Sequence, residues 1–297
     1  MNKIKIGYFA DGPWSHKAFE KIIQDNSIEV LFIVPRSDTS DNTLKKYADR
    51  YNIDYLCPVK INSFEFIDKA KAYECDLFVS MSFNQIFKNE IINVPTLKTI
   101  NCHAGKLPFY RGRNILNWAL INDEKEFGIT VHYIDEGIDT GDIILQRVYK
   151  ISDEDNYMTL LDLAYDECAN ILFDAIKLIQ KNEVKAIKQN SIHPVGFYCG
   201  KRIQGDEIIN WNQTSRDVFN FIRSICYPGP KATTYIDGIE VKINSSRLIY
   251  DAPTYKGKPG QILLKTLDGY YVKTLDSFIE IVEIGSVVKL KVGEILK

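Results

Sequence analysis

The sequence predicts an α/β chain: a Rossmann-like, mostly parallel sheet in an N-terminal domain over residues 1–195, then a small β-barrel-like (OB-like) domain over residues 196–297. Two observations predict it. In the first half, short β-rich runs alternate with segments of helical spacing, the pattern of βαβ units. After Pro194 the texture changes to short alternating runs broken by turn residues. The 297 residues, 45% of them hydrophobic, are enough for a sizeable core.

Taken in order, strands are expected at Ile4 to Ala10, Ile28 to Val34, Leu77 to Ser82, Thr99 to Cys102 and Ile129 to Ile134. Between them, helices are expected near His16 to Gln24, Thr43 to Tyr51, Phe64 to Tyr73 and Asn114 to Ile121. The runs 28–34 and 77–82 are almost continuously apolar, as strands covered on both faces should be. Leu160, Leu163, Ala164, Cys168, Ile171, Leu172, Ala175 and Ile179 repeat at helical spacing, so one long amphipathic helix is expected from Thr159 to Lys181. Farther on, strands are expected at Ala232 to Ile236, Ile239 to Ile243, Gln261 to Thr266 and Phe278 to Glu283, with one helix from Thr214 to Ser224. Asp237-Gly238 and Asp268-Gly269 between alternating runs signal hairpins.

Charge and cysteine usage narrow the function classes. Lys plus Arg number 37 and Asp plus Glu 39, a balance that disfavours a nucleic-acid partner. The six cysteines are scattered, with no CxxC pair and no zinc-ligand spacing, so no metal is expected and the thiols fit a reducing, cytoplasmic setting. Met1 to Phe9 alternates polar and apolar residues like a strand, unlike a signal peptide. No run of about 18 apolar residues offers a membrane span.

The densest polar constellation lies between Asn101 and Gln146. In a parallel sheet ligands sit beyond the C-terminal strand ends, which directs attention to the loops after Ser82, Cys102 and Ile134. Asn101 and His103 are two apart on a strand and share a face. The glycines around Asp139 allow a tight loop that can bring a carboxylate to the neighbouring strand end. Transfer of an acyl group to an amine needs a base for the amine proton and a donor for the oxyanion. His103 suits the first role and the Asn101 amide the second, with Asp139 orienting the imidazole and favouring its charged form. Holding two substrates in line contributes up to roughly 7–11 kcal/mol, and no covalent nucleophile is required. Each residue alone also has a plainer reading: His103 as a hydrogen-bonded structural histidine, Asp139 as a turn residue.

The longer string is far less common. Asn101-Cys102-His103-Ala104-Gly105-Lys106-Leu107-Pro108-Phe109-Tyr110-Arg111-Gly112-Arg113-Asn114, with Trp118-Ala119, Asn122, Gly128-Ile129-Thr130-Val131-His132 and Asp139-Thr140-Gly141-Asp142, resembles the formyltetrahydrofolate-dependent transformylase family. That family includes methionyl-tRNA formyltransferase and enzymes that formylate nucleotide-linked amino sugars. The resemblance covers residues 1 to about 180 and extends more weakly through Gly200-Lys201-Arg202 and Ile208-Ile209-Asn210-Trp211. It implies Asn101, His103 and Asp139 as the catalytic residues and N10-formyltetrahydrofolate as cosubstrate. It further implies a pterin between the Gln85-Ile86-Phe87 loop and the loop of Asp135, Glu136, Gly137, Ile138 and Asp139, with Arg113 touching the cofactor. Lys106 departs from the leucine that the family's tRNA enzymes and one amino-sugar branch carry there.

The acceptor suggested by the resemblance is a nucleotide-linked amino-deoxy sugar destined for a surface polysaccharide such as an O-antigen or lipopolysaccharide. Arg113-Asn114-Ile115-Leu116-Asn117-Trp118-Ala119 looks like the amino-sugar branch. From Arg36 to Arg50, four cations face three carboxylates, too little for an electrostatic grip on a polyanion. Trp14, Lys201 and Arg202 are candidate substrate contacts, against the plainer reading of a solvated mixed face. Methionyl-tRNA formyltransferase and a non-catalytic folate-binding protein are the alternatives, and family analogy points to a homodimer.

Overall fold

A computed structural model of the chain describes residues 3–287 and 289–297. Met1 and Asn2 of the alternating N-terminal stretch lie outside the described residues. The elements run β1 (Ile4–Ala10), α1 (Pro13–Ile23), β2 (Ile28–Val34), α2 (Thr43–Tyr51), β3 (Asp54–Tyr55), α3 (Phe64–Ala72), β4 (Leu77–Met81), α4 (Asn89–Ile92) and β5 (Thr99–His103). Then follow β6 (Arg111–Gly112), α5 (Ile115–Ile121), β7 (Glu126–Tyr133), β8 (Ile143–Lys150), α6 (Tyr157–Gln180), α7 (Gln189–Ile192) and β9 (Tyr198–Cys199). The last are α8 (Ser215–Ser224), β10 (Ala232–Ile236), β11 (Ile239–Leu248), β12 (Ile262–Lys265), β13 (Gly269–Lys273) and β14 (Phe278–Ser286).

The chain divides into two compact units, and both are assembled from separate stretches. The first takes residues up to Gly112, then Phe127–Tyr149 and Asp162–Tyr198; the second takes Arg113–Glu126, Lys150–Leu161 and Cys199–Lys297.

The first unit holds a seven-stranded sheet in the order β3-β2-β1-β4-β5-β7-β8. The pairs from β3 to β5 are parallel, and β7 turns antiparallel to β5. The mostly parallel α/β architecture is therefore present. Its strands alternate as the sequence predicts: Phe9 packs among Phe32, Phe66, Phe78, Phe83 and Phe87 on one side, with Phe78 and Phe87 both at 5.1 Å between ring centroids. On the other side the Tyr8 hydroxyl donates to the carbonyl of Ser15 in α1. Offset and edge-on ring pairs of this kind add about 0.5–1.5 kcal/mol each beyond the area they bury.

Two local expectations change. Helix α1 begins at Pro13 instead of His16, because Pro suits the first helical position and Gly12 supplies a φ of 68° just before it. Trp14 consequently lies in the first helical turn and not in a loop, its ring edge-on to Tyr165. Strands β8 and β13 carry no expectation from the sequence; β8 lies beside β7, and β13 pairs antiparallel with β12 and β14 on either side of it in the chain.

The second unit holds a five-stranded antiparallel sheet, ordered β10-β11-β14-β13-β12, with α8 against β11. Ile236 pairs with Ile239, so Asp237 and Gly238 form the two-residue hairpin that Asp-Gly predicts, both at positive φ. Thr214 and Asp217 cap α8 reciprocally. The core gathers Trp211, Ile222, Val241, Ile243, Val272 and Ile281.

Candidate active site

The catalytic candidates are built on the register of the first unit's sheet. Phe9 pairs with Ser80, Ser80 with Asn101, and Asn101 with His132, one row across four strands. Alternation along β5 then decides orientation. Cys102 points at α6, its thiol 3.7 Å from the Cys168 carbonyl, so Asn101 and His103 must both face the opposite side. Past β5 the chain turns through Gly105, where a methyl group would collide with the His103 ring and the Tyr110 carbonyl. Thr130 braces this turn by donating its hydroxyl to the Gly105 carbonyl at 2.7 Å.

Asp139 comes from the loop after β7. Its backbone is left-handed (φ 55°), a conformation Asp tolerates better than most residues. Gly141 has no room for a Cβ, which would strike the Tyr133 carbonyl. Asp135 closes the loop by accepting from the Gly137 N–H at 3.1 Å and the Thr140 hydroxyl at 2.5 Å.

The Asp139 carboxylate then meets three groups. Oδ2 accepts from the Gly112 N–H at 2.9 Å and lies 3.6 Å from His103 Nδ1, while Oδ1 lies 3.4 Å from His132 Nε2. Asn101 Nδ2 is 3.3 Å from the same His132 nitrogen. The three expected residues are brought together, joined by a fourth, His132, which is 2% exposed. It was absent from the expected site because only the antiparallel β5–β7 pairing sets it beside Asn101. The nearest sequence signal is its place in Gly128-Ile129-Thr130-Val131-His132.

Hydrogen bonding fixes the roles of the ring nitrogens. His103 Nε2 faces the Tyr110 carbonyl at 2.7 Å and so carries a hydrogen. In the neutral ring the Nδ1 lone pair then points at a carboxylate; a proton arriving at Nδ1 turns that opposition into an ion pair. His132 Nδ1 likewise donates to the Tyr133 carbonyl at 2.8 Å, and its Nε2 lies between the Asn101 amide and Asp139 Oδ1: without a proton it accepts from the amide, with one it donates to the carboxylate. The amide's second hydrogen is available for another acceptor. Burial pushes the Asp139 carboxyl upward, but the charge of His103, the hydrogen bond and charge of His132, and the Gly112 N–H outweigh it. The group is held well below the usual carboxylate range.

The remaining candidates are dispersed. Gln85 takes the Ile61 N–H on Oε1 at 3.0 Å, Ile86 is exposed, and Phe87 is buried in the aromatic core. Glu136 and Ile138 are exposed on the Asp139 loop. Arg113, exposed, belongs to the second unit, as do Lys201 and Arg202. Arg202 sits over the rings of Trp118 and Phe221 and donates to the Asp206 carbonyl. No group of three His, Cys, Asp or Glu among the described residues could hold a metal ion, and no described helix is long and apolar enough to cross a membrane.

Known proteins resemble this chain along most of its length. Residues 8–176 match the Formyl transferase family, and residues 202–292 match the Formyl transferase C-terminal domain. The chain is 32% identical to the methionyl-tRNA formyltransferase of Fusobacterium nucleatum subsp. nucleatum, over 90% of this chain and 89% of that one. It is 31% identical to the bifunctional polymyxin resistance protein ArnA of Wigglesworthia glossinidia brevipalpis, over 88% of this chain and 37% of that protein. Its fold resembles that of WlaRD, a sugar 3N-formyl transferase solved in the presence of dTDP and 5-N-formyl-THF. The TM-score is 0.72 at 24% identity, covering 98% of this chain and all of that one. The chain belongs to the formyl transferase family, and it is an enzyme of formyl transfer.

Proposed function

We propose that the chain moves the formyl group of N10-formyltetrahydrofolate onto the amine of a nucleotide-linked amino-deoxy sugar, in the service of surface polysaccharide synthesis. The observation that carries the chemistry is the meeting of Asn101, His103 and Asp139 at one strand end, with His132 between the amide and the carboxylate. In the proposed reaction the acceptor amine attacks the formyl carbon, and the Asn101 amide donates to the developing oxyanion. His103 Nδ1 takes the amine proton, and Asp139 stabilises the imidazolium that results. As the carbon–N10 bond breaks, the imidazolium returns that proton to N10, leaving tetrahydrofolate and the formamide.

The pterin is assigned to the loops of Gln85 to Phe87 and Asp135 to Asp139, with Arg113 as a further contact. Trp14, Lys201 and Arg202 stay as candidate contacts to the sugar nucleotide. The presence of dTDP and 5-N-formyl-THF with WlaRD supports the pairing of a folate with a nucleotide sugar. Against a tRNA acceptor, Arg36 is committed to both oxygens of Asp38 at 2.9 Å and lies 4.0 Å from Asp11. A guanidinium so neutralised contributes little to counterion release from a phosphate backbone. The competing reading, methionyl-tRNA as acceptor, has the Fusobacterium relative in its favour.

One experiment separates them. Nucleotide-linked amino sugars and charged initiator tRNA are incubated in parallel with N10-formyltetrahydrofolate, and the mass gain of one formyl group is scored. Formylation confined to amino sugars is expected. Formylation of tRNA alone, falling steeply with salt, overturns the sugar assignment; a chain that binds the folate and formylates neither acceptor overturns the catalytic one.

A further inference from the structure

We propose that Gln189 is a positioning residue for the Asp139 carboxylate, a role that rests on the reaction proposed above. Gln189 opens α7, far along the chain from the catalytic motif, yet only 3% of its surface is exposed. Its Nε2 donates at 2.8 Å to the Asp139 carbonyl and at 2.8 Å to the Gly141 carbonyl. Its Oε1 accepts from Arg111 Nε at 3.1 Å and from Arg111 Nη2 at 2.6 Å. Both amide hydrogens and the amide oxygen are therefore used. Turning the amide over would set oxygen against two carbonyls and nitrogen against a guanidinium, so a single orientation is allowed.

What this amide holds is the stretch of loop that needs holding. Asp139 is left-handed without being glycine, a conformation that persists where its surroundings enforce it. Gln189 grips the backbone carbonyls on either side of Thr140. The Gly112 N–H, next to Arg111, grips the carboxylate of the same loop at 2.9 Å. Backbone and head of Asp139 are thus tied to one short segment, Arg111-Gly112, with Gln189 as the link. Just before it, Ile187 and Ile143 exchange two backbone hydrogen bonds of 2.8 Å, which anchor α7 beside β8. Without the link the 3.6 Å contact of Asp139 with His103 loses its backbone support.

Two variants test this. Gln189→Glu keeps the shape and the pairing with Arg111 but lacks both donors. Gln189→Met removes all four bonds without adding charge, and carries the test if the first does not fold. Each should lower kcat for formyl transfer roughly tenfold to a hundredfold, the scale of a misplaced catalytic group, with little change in the KM of the acceptor. On an Asp139→Asn background the same substitution should cost less than about twofold, because the group it positions is already gone. Amide hydrogen exchange over residues 135–142 should quicken in both variants. Wild-type kcat in both, a loss that repeats in full on Asp139→Asn, or unchanged exchange over 135–142 would overturn the role. Should the wild-type chain formylate no acceptor, the proposed reaction falls, and the exchange measurement alone still decides whether Gln189 holds the loop.

Discussion

Two carboxylates, one in each compact unit, are both held below the usual range, by partners of different chemistry. Asp153 in the second unit owes its depression first to a bidentate hydrogen bond from Arg216, opposed by burial and aided by the Tyr250 hydroxyl, and sits at about 2. Nearby, Arg223 is buried, with its guanidinium spent on the carbonyls of Ser152 and Asp155 and on Asn220. The cations nearest Asp153 are arginines, which stay charged throughout the ordinary pH range. Asp139 is surrounded instead by two imidazoles and a backbone N–H. A depressed carboxylate therefore does not by itself mark chemistry; one that meets two imidazoles and an Asn amide at a strand end is the stronger candidate.

The comparison breaks first at His103. Replacing it with alanine removes the proton acceptor and should reduce kcat by about 10²–10⁴-fold, the usual contribution of a positioned base. Turnover above a few per cent in a folded His103→Ala variant would end that assignment. Asn101→Ala should follow, at roughly 10²–10³-fold, the scale for one oxyanion donor. Single-turnover rates at saturating folate would check that the loss lies in chemistry and not in binding.

Asp139→Asn preserves shape and removes the charge. One hydrogen bond to a charged group is worth about 1.5–3 kcal/mol, so kcat should fall roughly tenfold to a hundredfold, more than cofactor affinity does. The same variant sharpens the pH contrast. The folded value of Asp139 lies below its ordinary 3.8, so its contribution to stability is present above that value and is lost as pH falls through the lower folded one. Thermal melts of wild type and Asp139→Asn should differ at neutral pH and converge in strong acid; a constant gap would contradict the depression.

The smallest effect belongs to the second unit. Asp153→Asn should leave kcat untouched and cost at most about 1 kcal/mol, because the pair with Arg216 is partly solvated. Its stabilising share is likewise present above 3.8 and lost as pH drops toward 2. A large loss of turnover in this variant would erase the distinction between the two carboxylates.

Much of this was written in the chain itself. β-branched and aromatic runs bounded by turn residues located β1, β2 and β10 to the residue, since each is short, apolar and flanked by breakers. Asp237-Gly238 specified its hairpin because both central residues need positive φ. Alternation on β5 alone put Asn101 and His103 on one face.

What only tertiary structure decided is where partners from distant sequence arrive. His132 became a neighbour of Asn101 through an antiparallel register, and a one-residue slip of β7 would have turned it away. Gln189 reached the Asp139 loop from 50 residues off, with nothing in its surroundings in sequence to announce it. The assignment of Arg113 to a different unit from the residues just before it is also a fact of packing. Local preference and hydrophobic period act over a few residues and can be read directly, whereas register, loop closure and buried hydrogen bonds are settled by the whole fold.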